Sequence, residues 1–321
     1  MPYCEETMSD RFNFEDTMDV LTDVLNALEL KGWLSSRTEM TTSWRFAFAE
    51  SSDMIFHILQ CGRGYLSVEG EAESRRVEDG DVLLFPHGHA HIIYDHSASP
   101  LTQAVCLNYE AYREHRLFPF ESEEPKMVLL CGAFHLEQPN ASPLLHCLPR
   151  VIHIPGEQGN MERGFADIVN FIAREAISPK SGSDVMLRRL TEMLFIQVIR
   201  LWIDQQAEAE GGWLAALRDQ SISMALGLIH QYPERRWKVE ELAEAVALSR
   251  SVFSVRFTRL VGEPPMKYLT RWRMQKAIRL LKNEITVEKI AEQLGYESQV
   301  AFRKAFKREI GMPPARYRKT G

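Results

Sequence analysis

The sequence predicts an α+β chain of two domains: an amino-terminal β-barrel with flanking helices, then an all-α domain with two helix-turn-helix units. Three observations lead there. One helix-pair pattern occurs twice in the last hundred residues, residues 41–153 have the texture of short strands, and charge is divided unevenly between the two halves.

The repeat is the strongest of the three. Leu242, Ala243 and Val246 map onto Ile290, Ala291 and Leu294 at an offset of 48; after the turn, Ser249, Phe253 and Phe257 map onto Ser298, Phe302 and Phe306 at 49. The single inserted residue, Glu297, falls in the turn, where a duplicated helix pair tolerates it. The units span about 239–261 and 287–310. Between them runs Pro265 to Lys282 without internal Gly or Pro, anchored by Leu269, Trp272, Leu280 and Leu281. As a helix it is about 26 Å long, close to the roughly 34 Å between successive major-groove faces. Its cations Lys267, Arg271, Arg273, Lys276 and Arg279 are either phosphate clamps or, residue by residue, a solvated face.

In the first unit Phe253, Phe257 and Leu260 face inward, leaving Arg250, Ser251, Ser254, Val255 and Thr258 outward. In the second, Phe302, Phe306 and Ile310 are inward and Gln299, Val300, Arg303, Lys304 and Lys307 outward. Arg303 and Lys304 suit guanine, Gln299 suits adenine, and Val255 or Val300 suits a thymine methyl. Solvated faces would explain neither the duplication nor the lack of acidic residues there. The expected partner is double-stranded DNA.

Charge agrees. The chain has a net −6, yet residues 221–321 hold 20 Lys and Arg against 10 Asp and Glu, leaving the rest strongly acidic. A basic end on an acidic body fits phosphate binding by that end alone. Cys4, Cys61, Cys106, Cys131 and Cys147 are scattered without a C-x-x-C pair, which argues against a disulfide framework or zinc knuckle. No signal segment or apolar span is evident, so a cytoplasmic protein without membrane contact is expected.

In the amino-terminal half, residues 15–30 have a helical period. Trp44–Phe48, Met54–Leu59, Val82–Phe85 and Met127–Leu130 are short apolar runs separated by Gly, Pro and Asp, as in a β-sandwich or barrel. From Asp184 to Gln206 a stripe of Leu187, Leu190, Leu194, Val198, Leu201 and Trp202 either packs on its own barrel or forms a homodimer interface. The boundaries are then 13–155 for the sensor-like barrel, 156–212 for a helical, dimerisation and linker segment, and 213–321 for the paired units.

The run Gly295-Tyr296-Glu297-Ser298-Gln299 through Phe302 and Ala305–Arg308, with Gly311-Met312-Pro313-Pro314-Ala315-Arg316-Tyr317-Arg318, resembles the signature of the AraC/XylS family of transcription regulators. Trp237-Lys238-Val239 and Arg273-Met274 with Ala277 fit it too. The resemblance covers about residues 222–318 and implies a two-headed DNA-binding module that usually activates transcription by contacting RNA polymerase.

Gly80, Pro86, Gly88 and His91 resemble the second motif of cupin barrels, with Asp95 where that family usually has Asn; the first, metal-binding motif is not matched. Leu130–Phe134 with Ser142–Leu145 and Leu148-Pro149 resembles the cupin-type sensor domain of one AraC-like subgroup, over roughly residues 13–155. His57, His91, Cys131 and His135 are the candidate donors for a divalent metal such as zinc, Cys131 and His135 sharing a strand face. The alternative is hydrogen-bonded core histidines and a small buried cysteine. A thiolate lowered by His57 or Arg63 would instead sense oxidants, and a small-molecule effector in the barrel mouth is a third option. His87 and His89 read as solvated loop residues. A rival function, a cupin-type metalloenzyme with a DNA-binding appendage, lacks its first-motif ligands.

Overall fold

The computed structural model describes residues 19–28, 30–40, 43–95, 105–107, 126–136, 143–156, 163–177, 180–206, 212–283 and 285–320. The chain divides into two compact units, one of residues 29–137 and 148–207, the other of 1–28, 138–147 and 208–321. The sequence boundaries placed 13–28 and 138–147 with the barrel. Instead, helix α1 (Val20–Ala27) buries Val20, Val24 and Leu28 within the helical unit, an i, i+4, i+8 ridge. Residues 13–18, Cys4 and the 208–211 linker lie outside the described residues.

The first unit consists of two five-stranded sheets around one core. Its strands are β1 (Leu30–Met40), β2 (Arg45–Phe48), β3 (Met54–Cys61), β4 (Gly64–Val68), β5 (Arg75–Val77), β6 (Val82–Phe85), β7 (His91–Tyr94), β8 (Val105–Leu107), β9 (Met127–Leu136) and β10 (Ile152–Ile154). One sheet runs β1-β9-β3-β6-β10 and the other β5-β4-β7-β2-β8, antiparallel except where β2 meets β8. Inward residues of both sheets, among them Phe46, Leu66 and Ile93 facing Ile55, Leu83 and Leu129, form a single cluster. Alternate residues of β2 and β4 are buried, whereas β3, β6 and β9 are buried on both faces, hence their unbroken apolar runs.

The reason for that second buried face is a helical hairpin within the same unit, α3 (Arg163–Ile177) and α4 (Ser183–Gln205). Leu187, Leu190, Leu194, Val198 and Trp202 are all buried, with Phe195 against Phe134 at 5.4 Å between ring centroids. A Cβ on Gly32 of β1 would lie 2.5 Å from the Thr191 hydroxyl oxygen, so helix and sheet meet closely there. The stripe is therefore covered by its own barrel. No helix among the described residues is long and apolar enough to cross a membrane.

In the second unit α2 (Pro143–Cys147), α5 (Trp213–Arg218) and α6 (Gln220–Gln231) precede α7 (Val239–Ala245) and α8 (Arg250–Val261). The rod α9 (Pro265–Lys282) then leads to α10 (Val287–Gln293), α11 (Gln299–Ile310) and α12 (Pro314–Thr320). Two helix pairs, α7–α8 and α10–α11, thus flank the rod. The repeat extends to hydrogen bonds: Leu248 N–H donates to Ala243 O, and Tyr296 N–H to Ala291 O, both at 2.9 Å. Ser249 and Ser298 cap α8 and α11, and Gly262 and Gly311 end them at φ +85°. At the left-handed turn position the second copy has Gly295 (φ +71°) and the first has Ala247 (φ +55°). A Cβ at 295 would sit 1.8 Å from the Glu234 carbonyl oxygen. Gly295→Ala should therefore cost more than about 2 kcal/mol, whereas Ala247→Gly should gain up to about 1 kcal/mol by relieving αL strain. Urea denaturation of both variants checks the pair.

His230 of α6 is buried between α1 and α9. Its Nε2 lies 2.7 Å from the Tyr268 hydroxyl and its Nδ1 3.3 Å from Asp23, and it stacks on Trp272 at 3.8 Å. Burial pushes its pKa below the ordinary value and outweighs the opposing pull of Asp23; Lys276 adds to the lowering. A depressed histidine binds more protons unfolded than folded, so its contribution is complete above about pH 6.5 and falls on acidification below it. The pH slope of stability below 6.5 should be shallower in His230→Gln than in the wild type.

Candidate nucleic-acid interface and barrel centre

The outward faces of α8 and α11 lie opposite two buried ridges. Phe253, Phe257, Phe302 and Phe306 are fully buried and Leu260 nearly so, while Ile310 is half-buried. Arg250, Ser251 and Val255 are exposed and Ser254 is half-buried. In α11, Val300, Arg303, Lys304 and Lys307 are exposed and Gln299 is half-buried. Arg250 is not unencumbered, its Nε lying 2.9 Å from Glu240. Arg303, Lys304 and Lys307 have no carboxylate partner among the described residues. These three cations follow a Ser-capped helix start and are exposed together.

The connector's cations mostly have another job. Arg273 donates from Nε to Pro233 O at 2.6 Å and from Nη2 to Arg235 O at 2.9 Å, and its guanidinium lies 5.3 Å from the Tyr296 ring centroid. Lys276 donates to His230 O at 3.1 Å, near the carboxyl-terminal end of α6. Arg271 and Lys267 both pair with Glu263. Burial lowers the pKa of Arg273 and Lys276. Arg271, Arg273 and Lys276 are thus engaged within the fold, whereas Lys267, 3.9 Å from Glu263, and Arg279 are exposed.

In the barrel, β3, β7 and β9 bring His57, His91 and Cys131 together. His57 is opposite Cys131 in the β3–β9 register, with its Nδ1 3.1 Å from Cys131 Sγ and its Nε2 2.7 Å from His91 Nε2. His91 Nδ1 lies 2.8 Å from the His89 carbonyl, which can only accept. That fixes the chain of neutral donors: His91 Nδ1–H to the carbonyl, His57 Nε2–H to His91, Cys131 S–H to His57. Ser36 adds a side-chain hydrogen bond to Cys131, beside the β1 bulge between Leu34 and Ser36. Phe48 and Phe85 sandwich the His91 ring at 4.7 and 3.7 Å.

Burial governs the protonation of all three. It lowers His57, where His91 adds to the effect, and takes His91 down to about 4 and the Cys131 thiol up to about 12. Cys61 is also raised, by burial first and then by Asp79. The expected low-pKa thiolate is thus absent at both positions, because desolvation outweighs the neighbouring donors. His135 stands apart. Four residues along a strand separate it from Cys131 by about 13 Å, and its Nδ1 pairs with Asp53 at 2.7 Å. Nor do the other three converge on a point, since His57 turns opposite ring nitrogens to its two neighbours. Among the described residues no group of three or more His, Cys, Asp or Glu is arranged to hold an ion. His87 is exposed, with its Nε2 3.0 Å from the Leu148 carbonyl, whereas His89 is half-buried and burial lowers its pKa.

A cupin family model matches residues 19–204, and a helix-turn-helix domain model matches residues 242–320. The HTH-type transcriptional regulator AlkR of Acinetobacter baylyi is 30% identical over 307 residues, covering 94% of this chain and 99% of that protein. A putative AraC-like transcription regulator of Streptomyces lividans is 31% identical over 303 residues, 94% and 98% of the two chains. The chain belongs to the AraC family of transcription regulators. Among solved structures, the DNA-binding domain of AdpA in complex with a target DNA is 32% identical at TM-score 0.30, covering 32% of this chain and 92% of that one.

For an AraC-family regulator, then, the DNA-binding half comprises α7–α8 and α10–α11 on the α9 rod. Sequence reasoning missed Ser36, because a bulge leaves no mark in a single sequence. It also missed the clamp made by Arg273, which was visible only as one positive charge among five. Arg273→Ala would take from the Pro233 carbonyl its guanidinium donor and leave the Arg235 carbonyl with the Trp237 N–H at 2.8 Å alone, and should cost about 1–3 kcal/mol, with Arg273→Lys recovering little because a single ammonium cannot reproduce the fork. Chemical denaturation of the two variants measures this.

Proposed function

We propose that this DNA-binding regulator activates transcription in the cytoplasm, as a homodimer contacting RNA polymerase, under control of a signal received in its barrel. The observation that carries the reading is the pair of capped, outward helices, with Arg303, Lys304 and Lys307 on the second lacking a carboxylate partner among the described residues. Activation, the polymerase contact and the cytoplasmic setting follow from the AraC-family resemblance. With the α4 stripe covered in cis, self-association rests on exposed apolar side chains of the α3–α4 hairpin: Phe171, Ile177, Val185, Met186 and Met193. A regulator is favoured over a metalloenzyme by the sealed centre, where His57, His91 and Cys131 are at most 3% exposed and leave no open ligand position.

The receiver of the signal, in this reading, is the Ser36–Cys131–His57–His91 chain. A ligand, metal or oxidant that broke its His57–His91 bond would unpair buried polar groups in both sheets at once. Metal analysis of the purified protein tests the form of the signal. One equivalent of zinc, lost in His91→Ala, would replace the hydrogen-bonded chain with a ligand set.

DNA binding itself is read by titrating the full chain against fragments of its own and neighbouring promoters. Binding should weaken steeply with salt, and Arg303→Ala should lose roughly 5- to 100-fold on the preferred fragment. Equal affinity for all fragments, unchanged in Arg303→Ala, would overturn the assignment of these helices.

A further inference from the structure

The two reading helices share a geometry and differ in chemistry. Positions 254, 255 and 258 of α8 correspond to 303, 304 and 307 of α11. The second helix places Arg303, Lys304 and Lys307 there, after an exposed Val300 in its first turn, and the first places Ser254, Val255 and Thr258, after Ser251 at the position of Val300. Nor do the other arginines of α8 make up the charge. Arg250 pairs with Glu240, and Arg256 lies 2.5 Å from Asp219, whose side chain is only 11% exposed. Arg259 is the remaining one, in the last turn, away from the helix start. Val255, meanwhile, is 71% exposed, the highest value among the large apolar side chains described. Packing does not account for it, because α8 buries Phe253, Phe257 and Leu260 instead.

We propose that the two heads divide the work of recognition. The second helix anchors the duplex through phosphate and guanine contacts and carries most of the salt-dependent part of binding. The first discriminates sequence by seating Val255 against the C5-methyl of a thymine, flanked by the hydroxyls of Ser251 and Ser254. This rests on both helices entering the major groove, and it specifies the kind of DNA taken. The site is asymmetric, with a required A·T pair in the first head's half and a G·C pair in the second's. The physics is a matter of what each side chain can exchange with water. An isopropyl group gains only from meeting another apolar surface, and in the major groove the thymine methyl is that surface. Lysines gain by releasing condensed counterions, about 0.9 in the log–log salt slope per phosphate neutralised.

The test uses the full chain and its mapped binding site. Each thymine is replaced singly by uracil, which removes the methyl and leaves the hydrogen-bonding pattern intact. Binding is measured for the wild type, Val255→Ala and the double variant Lys304→Ala/Lys307→Ala, with circular dichroism to confirm folding. At least one uracil should weaken wild-type binding about three- to tenfold, have no effect in Val255→Ala, and keep its effect in the lysine variant. The lysine variant should lower the salt slope by about 2, and Val255→Ala should leave it unchanged. Uracils that are all neutral, or equally harmful with and without Val255, would overturn the proposal while leaving DNA binding intact. A Val255→Ala salt slope reduced as much as that of the lysine variant would also overturn it. Failure to bind any fragment would remove the underlying reading as well.

Discussion

The fork of hydrogen bonds made by Arg273 is the constraint on which the DNA-binding half depends. A rod between two helix pairs fixes their separation, but a rod alone does not fix how each pair is turned about it. Arg273 spans that gap. Its guanidinium takes up the carbonyls of Pro233 and Arg235, which precede the first unit, and lies against Tyr296 in the turn of the second. The close approach of Gly295 to the Glu234 carbonyl works in the same place and the same sense. Lys276 adds a third tie, to the end of α6. Positive charge that looks available for DNA is thus used to hold the two heads in one body, and the burial that lowers the pKa of Arg273 follows from that use.

The barrel is organised by a comparable polar thread. A carbonyl that can only accept sets the tautomer of His91, which sets that of His57, which leaves Cys131 as a donor. Each member is held neutral by burial, so the thread is a chain of dipoles and not of charges. Its stability comes from complete satisfaction in a dry core, the circumstance in which a single disturbance is most costly.

Much of this was legible in the sequence, and the limits have physical causes. The duplicated units and the connector were readable because apolar residues at helical spacing and a capping Ser recur at fixed offsets. The meeting of His57, His91 and Cys131 followed from cupin-like spacing and strand parity. Parity misled for His135, since it reports the face of a strand and not the distance along it. The thiolate expectation failed because neighbouring donors were visible in sequence and the degree of desolvation was not. The α4 stripe could be covered in cis or in trans on pattern alone, and the doubly buried strands β3 and β9 resolve it in favour of cis. Residues 19–28 joined the helical unit because their Val20–Val24–Leu28 ridge finds its partners there, a tertiary fact without a local signature.

The claim at the centre of this account is that the two heads, locked by Arg273, address one face of one duplex. Hydroxyl-radical footprinting of the full chain on its bound DNA tests this most directly. The account predicts two protected patches on the same face, separated by about one helical turn, roughly 10 base pairs. In Arg273→Ala the protection of one patch should weaken. A single patch, or two on opposite faces of the helix, would contradict it.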